Sequence, residues 1–326
     1  MKHRPRRLRQ SAVIRNLVEE TALDPKRWIY PLFILEDDAA KIAIAAMPGQ
    51  YRLGLEPALH QIERALELGV HSFALFPVIA DSKKDPQGTE SKNPRGLLPR
   101  ALREIKKRFP ETCLISDVAL DPYSSDGHDG LVRDGKILND ESLPLLTEMA
   151  LVQSAAGADF VAPSDMMDGR VGVLRDELDR HGFTETGIIA YTAKYASAFY
   201  GPFREALDSA PKAGDKKTYQ MNPANRREAL READLDQSEG ADILMVKPAL
   251  SYLDIIRDLS NAMTLPIAAY NVSGEYSMVK LAAAKGLFNE RQATLEILTS
   301  IHRAGADMIF TYHAIEAAQW LQASKI

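Results

Sequence analysis

The chain has 326 residues, with 40 lysines and arginines against 45 aspartates and glutamates, a formal net charge of −5, and one cysteine. This acidic balance argues against a surface built to meet nucleic acid, and one cysteine makes neither an internal disulfide nor a thiolate metal cluster. With 45% apolar and 26% charged residues, and no run of about 20 uncharged apolar residues, the composition is that of a globular protein without a membrane span.

The chain opens on a basic stretch that carries Arg4, Arg6, Arg7 and Arg9. No apolar segment follows it, so it does not read as a secretory signal. A cytoplasmic location is expected, with an organelle after transit-peptide removal as the alternative. By charge alone these arginines suit a solvated tail; the sharper reading is an arm that grips a neighbouring subunit.

Eight short apolar runs then recur: Trp28–Leu35, Ser72–Val78, Cys113–Leu120, Phe160–Ser164, Gly187–Ala193, Ile243–Lys247, Ile267–Ser273 and Met308–Ala314. Their near-continuous apolar character fits parallel strands buried on both faces. Helical spacing falls between them. Glu56–Leu68 places Leu59, Ile62, Leu66 and Gly69 on one stripe, and Ser142–Ala156, Asn222–Glu239 and Asn289–Ala304 read alike. Asn222-Pro223 looks like an N-cap followed by proline at the first helical position. Gly157, Gly240 and Gly305 stand where left-handed C-terminal caps are expected, and each opens a Gly-Ala-Asp triplet before a strand.

This alternation implies parallel strands with right-handed crossovers, and eight units predict a closed (β/α)8 TIM barrel of α/β class. An open doubly wound sheet is second, weakened by the lack of a G-x-G-x-x-G after the first strand. Longer polar inserts at 81–94, 122–140 and 208–219 would gather at the C-terminal face of a barrel, where active sites lie.

The ends of the runs carry the chemistry. Asp117 ends the third, Ser164-Asp165 the fourth, and the fifth leads into Lys194. Lys247 ends the sixth, Ser273 the seventh, and the eighth carries Tyr312-His313. Lys247 follows four apolar residues, an unusual setting for a side chain that is seldom buried unpaired. Two ammonium groups about 4 Å apart at an effective dielectric near 20 repel by roughly 4 kcal/mol, on the order of three pKa units. Burial pushes the same way, leaving an amine able to form a Schiff base with a ketone or aldehyde. Asp121 and Asp129 offer oxygen ligands in a polar loop, although Asp-Pro and Asp-Gly are also ordinary turn pairs. Arg204 and the Lys216–Gln220 stretch supply cations suited to a carboxylate-bearing substrate. Met166-Met167 reads as packing.

Assembled, these residues resemble the porphobilinogen synthase (5-aminolevulinic acid dehydratase) family over nearly the whole chain. The resemblance rests on SDVALDPYSSDGHDG, VAPSDMMDGR, AKYASAFYGPFR, DKKTYQMNPANRREALRE, ILMVKPALSYLDII and NVSGEY. It implies a barrel over 28–326 preceded by a subunit-embracing arm over 1–27. Homo-octamers are implied too, with hexamers and dimers as alternative states. The implied reaction condenses two 5-aminolevulinate molecules to porphobilinogen with loss of two waters, in heme, chlorophyll and corrinoid synthesis. By the same resemblance Lys247 forms the Schiff base with the first-bound substrate, and Lys194 is the second lysine. Asp117, Ser164, Tyr200, Ser273 and Tyr312 would shape that first site, with Ser273 and Tyr312 on its carboxylate. Arg204 and Lys216, with Gln220 nearby, would hold the second carboxylate. Lys216 stands where many relatives have arginine, which keeps the charge but loses the bidentate fork.

Zinc-dependent members carry three cysteines where this chain has Ala119, Asp121 and Asp129. The chain therefore resembles the magnesium-type subgroup, with no catalytic zinc and no organic cofactor expected. Asp121 and Asp129 would organise water, Mg²⁺ or a monovalent ion, and Glu232 would serve an allosteric Mg²⁺ at a subunit interface. The stretch 122–140 and the segment after Lys194 become lids. Two rivals share parts of this reading: another Schiff-base aldolase of class I, and a non-catalytic oligomeric scaffold.

Overall fold

The computed structural model describes residues 1–323. The last three residues of the expected barrel, 324–326, lie outside the described residues.

Eight strands form the centre: β1 Trp28–Ile34, β2 Ser72–Pro77, β3 Cys113–Val118, β4 Phe160–Pro163, β5 Gly187–Lys194, β6 Ile243–Lys247, β7 Ile267–Asn271 and β8 Met308–Thr311. Each pairs in parallel with its neighbours in chain order, and β8 returns to β1 through Trp28 opposite Ile309 and Ile29 opposite Phe310. The sheet is thus a closed parallel barrel, as the eight apolar runs predict. All seven residues of β1 and all five of β6 and β7 are buried. Such strands have no polar face to turn to water, so each must be covered by helices outside and side chains inside.

The helix Leu55–Glu67 follows the expected pattern with its stripe displaced by a residue: Ala58, Ile62 and Ala65 are buried, while Leu59 and Leu66 are half-buried. It starts at Gly54, where an added Cβ would stand 2.0 Å from the Asp37 carbonyl oxygen, so no other residue fits. Gly157, Gly240 and Gly305 all have positive φ, as expected of left-handed caps.

The triplets that follow these glycines have a shared task. Asp159 accepts from the Leu114 amide at 2.6 Å, Asp242 from Ile188 at 2.7 Å and Asp307 from Ile267 at 2.9 Å. Each aspartate at the foot of one strand caps the first amides of the strand before it. The repeat is a register device at the barrel floor.

Several expected boundaries shift. The helix read from Asn222 begins only at Arg227. The Asn222 side chain accepts from the Ala224 amide, and its carbonyl accepts from Asn225, so the segment closes into a turn first. Strands seven and eight end at Asn271 and Thr311. Ser273 is instead the first residue of the helix Ser273–Ala284.

The three long inserts meet at the C-terminal mouth. The Asp85 amide bonds the Tyr123 carbonyl, the Lys212 amide bonds that of Asp126, and Lys84 donates to the Asp208 carbonyl. Residues 1–27 contain no buried residue, and Val13 and Leu17 are 77% and 82% exposed. Among the described residues no helix is long and apolar enough to cross a membrane.

Candidate active site

Lys247 and Lys194 end neighbouring strands and face each other in register. They share one cavity with Phe76, Asp117, Asp121, Ser164, Tyr200, Phe203, Arg204, Lys216 and Gln220. Most of the residues expected to act together are therefore assembled at the barrel mouth.

The surroundings of the two lysines differ in kind. The Lys247 Nζ lies 4.5 Å from the Tyr270 ring centre, 5.0 Å from Phe203, 5.1 Å from Tyr191 and 5.2 Å from Tyr200. Among the described residues no carboxylate pairs with it. Burial first, and the Lys194 charge second, lower its pKa to about 7. Asp117, Asp129 and Asp121 pull the other way. Burial thus outranks the lysine repulsion that the sequence brings to the fore. The Tyr200 hydroxyl donates to the Lys247 carbonyl at 3.0 Å and fixes the strand end. Burial also holds Tyr191, Tyr200 and Tyr270 well above the usual phenol range, so these rings stay neutral.

Lys194 instead donates to Asp129 at 3.1 Å and to the Ser164 carbonyl. Lys216 donates to the other Asp129 oxygen at 2.5 Å and to Asp121 at 3.2 Å. The order Lys194, Asp129, Lys216, Asp121 is a buried lattice of alternating charge. Burial alone would raise the Asp129 carboxyl, but the two lysines more than offset it and hold the group well below its usual range. Asp121 and Asp129 push the Lys216 ammonium above its usual value, against burial.

Asp117 stands between the two regions. Burial and the neighbouring Asp121 raise it to about 7, while the Ser164 hydroxyl, Lys194 and Lys247 pull it down. Among the described residues neither its Oδ1 nor the Gln220 Oε1 has a hydrogen-bond partner. A buried acceptor without a donor is costly, so both are poised to take a donor from a bound molecule.

Ser273 and Tyr312 do not line this cavity. The Ser273 hydroxyl accepts from the Phe203 amide at 3.0 Å, and the Tyr312 hydroxyl bonds that of Tyr270 at 3.2 Å. Ser273 thus holds the Phe203 segment, and the Tyr312 ring stacks on Phe33, whose ring also meets Phe203. Over the mouth, His128 ties two inserts together: its Nε2 meets the Ala213 carbonyl at 2.9 Å and its Nδ1 the Tyr219 hydroxyl at 3.1 Å. A carbonyl only accepts, so Nε2 carries a proton toward Ala213, and in the neutral imidazole Tyr219 donates to Nδ1.

The metal expectations separate. Asp121 and Asp129 already face ammonium groups, and a divalent ion between them would have to displace Lys216; as arranged, the pair does not fit one. Glu232 lies apart, in a groove with Asn139, Asp168, Asn222, Asn225 and Glu228. Burial raises its carboxyl to about 7, with Asp236, Asp168 and Glu228 adding to the rise and Arg170 opposing it. That surplus of carboxylate oxygen suits a hard cation. Among the described residues no three His, Cys, Asp or Glu side chains form a metal cluster, so Glu232 would need ligands from water or another chain.

Of the rings around Lys247, Tyr200 is among the expected residues, while Tyr191, Phe203 and Tyr270 escape a reading that follows polar residues. Their signal was present in single aromatics set among small residues near strand ends, Tyr191 in IIAYTAK and Tyr270 in IAAYN.

Residues 2–320 match the family model described as delta-aminolevulinic acid dehydratase. The chloroplastic delta-aminolevulinic acid dehydratase of Physcomitrium patens is 57% identical over 328 residues, covering 100% of this chain and 76% of that protein. The delta-aminolevulinic acid dehydratase of Bacillus subtilis is 51% identical, covering 98% of both chains. The crystal structure of delta-aminolevulinic acid dehydratase (porphobilinogen synthase) from Toxoplasma gondii, in complex with its product porphobilinogen, superposes with a TM-score of 0.96. It is 52% identical, covering 98% of this chain and 92% of that one. Neither the aldolase nor the scaffold reading is needed.

Proposed function

The chain belongs to the delta-aminolevulinic acid dehydratase family and is a hydro-lyase that forms porphobilinogen in tetrapyrrole biosynthesis; from that premise we propose how its barrel mouth divides the work. The observation that carries the proposal is the contrast between a lysine boxed by four rings and a lysine held in a charged lattice.

Lys247 is the Schiff-base lysine. Its neutral amine attacks the ketone carbon of the first 5-aminolevulinate, and the carbonyl oxygen leaves as water. The resulting iminium spreads its positive charge over carbon and nitrogen, and four ring faces favour such a cation better than they satisfy a compact ammonium. Asp117, near neutrality itself, is placed to supply and recover the protons of this step, with Ser164 and Tyr200 framing it. Ser273 and Tyr312 take the first carboxylate once the Phe203 segment shifts aside.

The second 5-aminolevulinate enters on the lattice side. Arg204, Lys216 and Gln220 bind its carboxylate, which competes with Asp121 and Asp129 for the Lys216 ammonium. Lys194 acts beside it as a second iminium former or a proton carrier. One C–C and one C–N bond join the substrates, and two waters leave overall. The inserts tied by His128 close over the mouth and exclude water.

We also propose that the chain is of the magnesium type, with Glu232 holding Mg²⁺ at a subunit interface. There the ion would add positive charge beside Glu232, Asp168 and Glu228, whose groove also carries Lys217. The exposed arm over 1–27 embraces a neighbour in a homo-octamer, with hexamer and dimer as alternative states. The cytoplasm or a plastid is the location. Activity and native size measured together after EDTA treatment, then with Mg²⁺ or Zn²⁺ restored, test this. Mg²⁺ should restore size and activity together; restoration by Zn²⁺ alone would contradict the magnesium reading.

A further inference from the structure

One fully buried carboxylate lies outside the steps described above. Glu275, in the first turn of the helix Ser273–Ala284, is 0% exposed and has no cation partner among the described residues. Its Oε1 accepts from the Leu250 amide at 2.8 Å. Its Oε2 accepts from the Val272 amide at 2.9 Å and from the Asn271 side-chain nitrogen at 3.0 Å. Asn271 passes the connection on, since its Oδ1 accepts from the Thr311 hydroxyl at 3.0 Å. That hydroxyl in turn accepts from the His313 amide at 3.2 Å. Asn271 and Thr311 are 1% and 0% exposed.

The chain of bonds runs across the ends of three consecutive strands. Leu250 lies three residues beyond Lys247 at the end of β6. Val272 precedes Ser273 after β7, and His313 follows Tyr312 after β8. Among the described residues no backbone bonds join these segments past the strand ends, so side chains must hold them in register. A buried carboxylate is an expensive way to do so unless all its acceptor sites are used. Here every bond falls within three residues of a group assigned to the first substrate.

We propose that Glu275 is the positioning residue for the first-substrate side of the mouth, acting through Leu250, Val272 and the Asn271–Thr311 relay to set Lys247, Ser273 and Tyr312. The proposal rests on Lys247 being the Schiff-base lysine. Glutamine is close to isosteric with Glu275, yet its amide nitrogen must face either the Leu250 amide or the Val272 amide, donor against donor. Flipping Asn271 relieves neither contact.

The test uses the full-length chain at pH 8, where Glu275, raised to about 7 by burial, is ionised. The probe is 5-aminolevulinate with borohydride, and the rate of adduct formation on Lys247 is read by peptide mass. Glu275→Gln should slow that rate and kcat by about tenfold or more, the loss expected when one buried acceptor becomes a donor. The KM should rise with it, because Ser273 and Tyr312 shift too. Glu275→Asp, still an anion but one methylene short, should keep the Val272 and Asn271 bonds and lose Leu250; trapping then slows while KM stays near wild type. If Glu275→Gln does not fold, Glu275→Asp and Thr311→Val carry the test, with Thr311→Val raising KM more than it slows trapping. A variant with a lowered Tm but wild-type trapping and KM well below that Tm would reduce Glu275 to a stability element and overturn the proposal. Wild-type protein is the control: an adduct on a residue other than Lys247 would refute the site reading beneath it.

Discussion

Lys247 and Lys194 end adjacent strands of one barrel, a few residues from the same opening, yet they are different reagents. Lys194 has an anion at 3.1 Å and belongs to a lattice of two lysines and two aspartates. Lys247 has ring faces and no anion partner among the described residues, and its pKa falls to about 7. Identical side chains meet different electrostatic surroundings because one site supplies counter-charge for burial and the other does not. Lys247 is thereby left without a counter-ion, and Lys194 stays engaged with Asp129.

That contrast can be broken from either side. The largest effect is expected from Lys247→Ala. Porphobilinogen formation should fall by more than about a thousandfold, as removal of a covalent nucleophile does, and the borohydride-stable adduct should vanish from that position. Next comes Asp129→Asn. It leaves two buried ammonium groups sharing one fewer anion, and breaking a buried pair costs about 3–5 kcal/mol; thermal or urea unfolding will show it. The same substitution removes a charge that raises the Lys247 pKa, so the acid limb of adduct formation should move to lower pH.

The pH profile sharpens the comparison further. An amine titrating near 7 is neutral and reactive above that pH and protonated below it. Trapping at Lys247 should therefore be flat above pH 7 and fall about tenfold per unit below it. Lys194→Met removes a neighbouring positive charge that lowers Lys247, so the midpoint should move upward. A midpoint unchanged by Lys194→Met would show that burial acts alone. The smallest effect is expected from Tyr200→Phe, which removes one hydrogen bond to the Lys247 carbonyl. It should slow trapping by a few-fold, for about 1 kcal/mol.

Much of this was legible in the sequence. The eight apolar runs define the barrel because a strand buried on both faces has no polar alternation to hide it. The residues at their ends define the mouth because the C-terminal ends of parallel strands converge there. The Gly-Ala-Asp echo marked the helix-to-strand joints, but the capping of a neighbouring strand by each aspartate depends on register, which one strand does not reveal. Asp121, Asp129 and Lys216 were each visible; their pairing was not, because 95 residues separate Lys216 from Asp121. Without that contact the two aspartates looked like cation ligands. Glu275 drew no reading because its partners, Leu250, Asn271 and Val272, end or follow two different strands that only the fold brings together.

The most direct measurement is to identify which lysine is alkylated first. The protein is mixed with less than one equivalent of 5-aminolevulinate at pH 8, reduced with borohydride within the first turnover, and digested for mass analysis. The adduct is expected on Lys247, with Lys194 modified only as substrate exceeds one equivalent. An adduct confined to Lys194 at the lowest substrate level would contradict it.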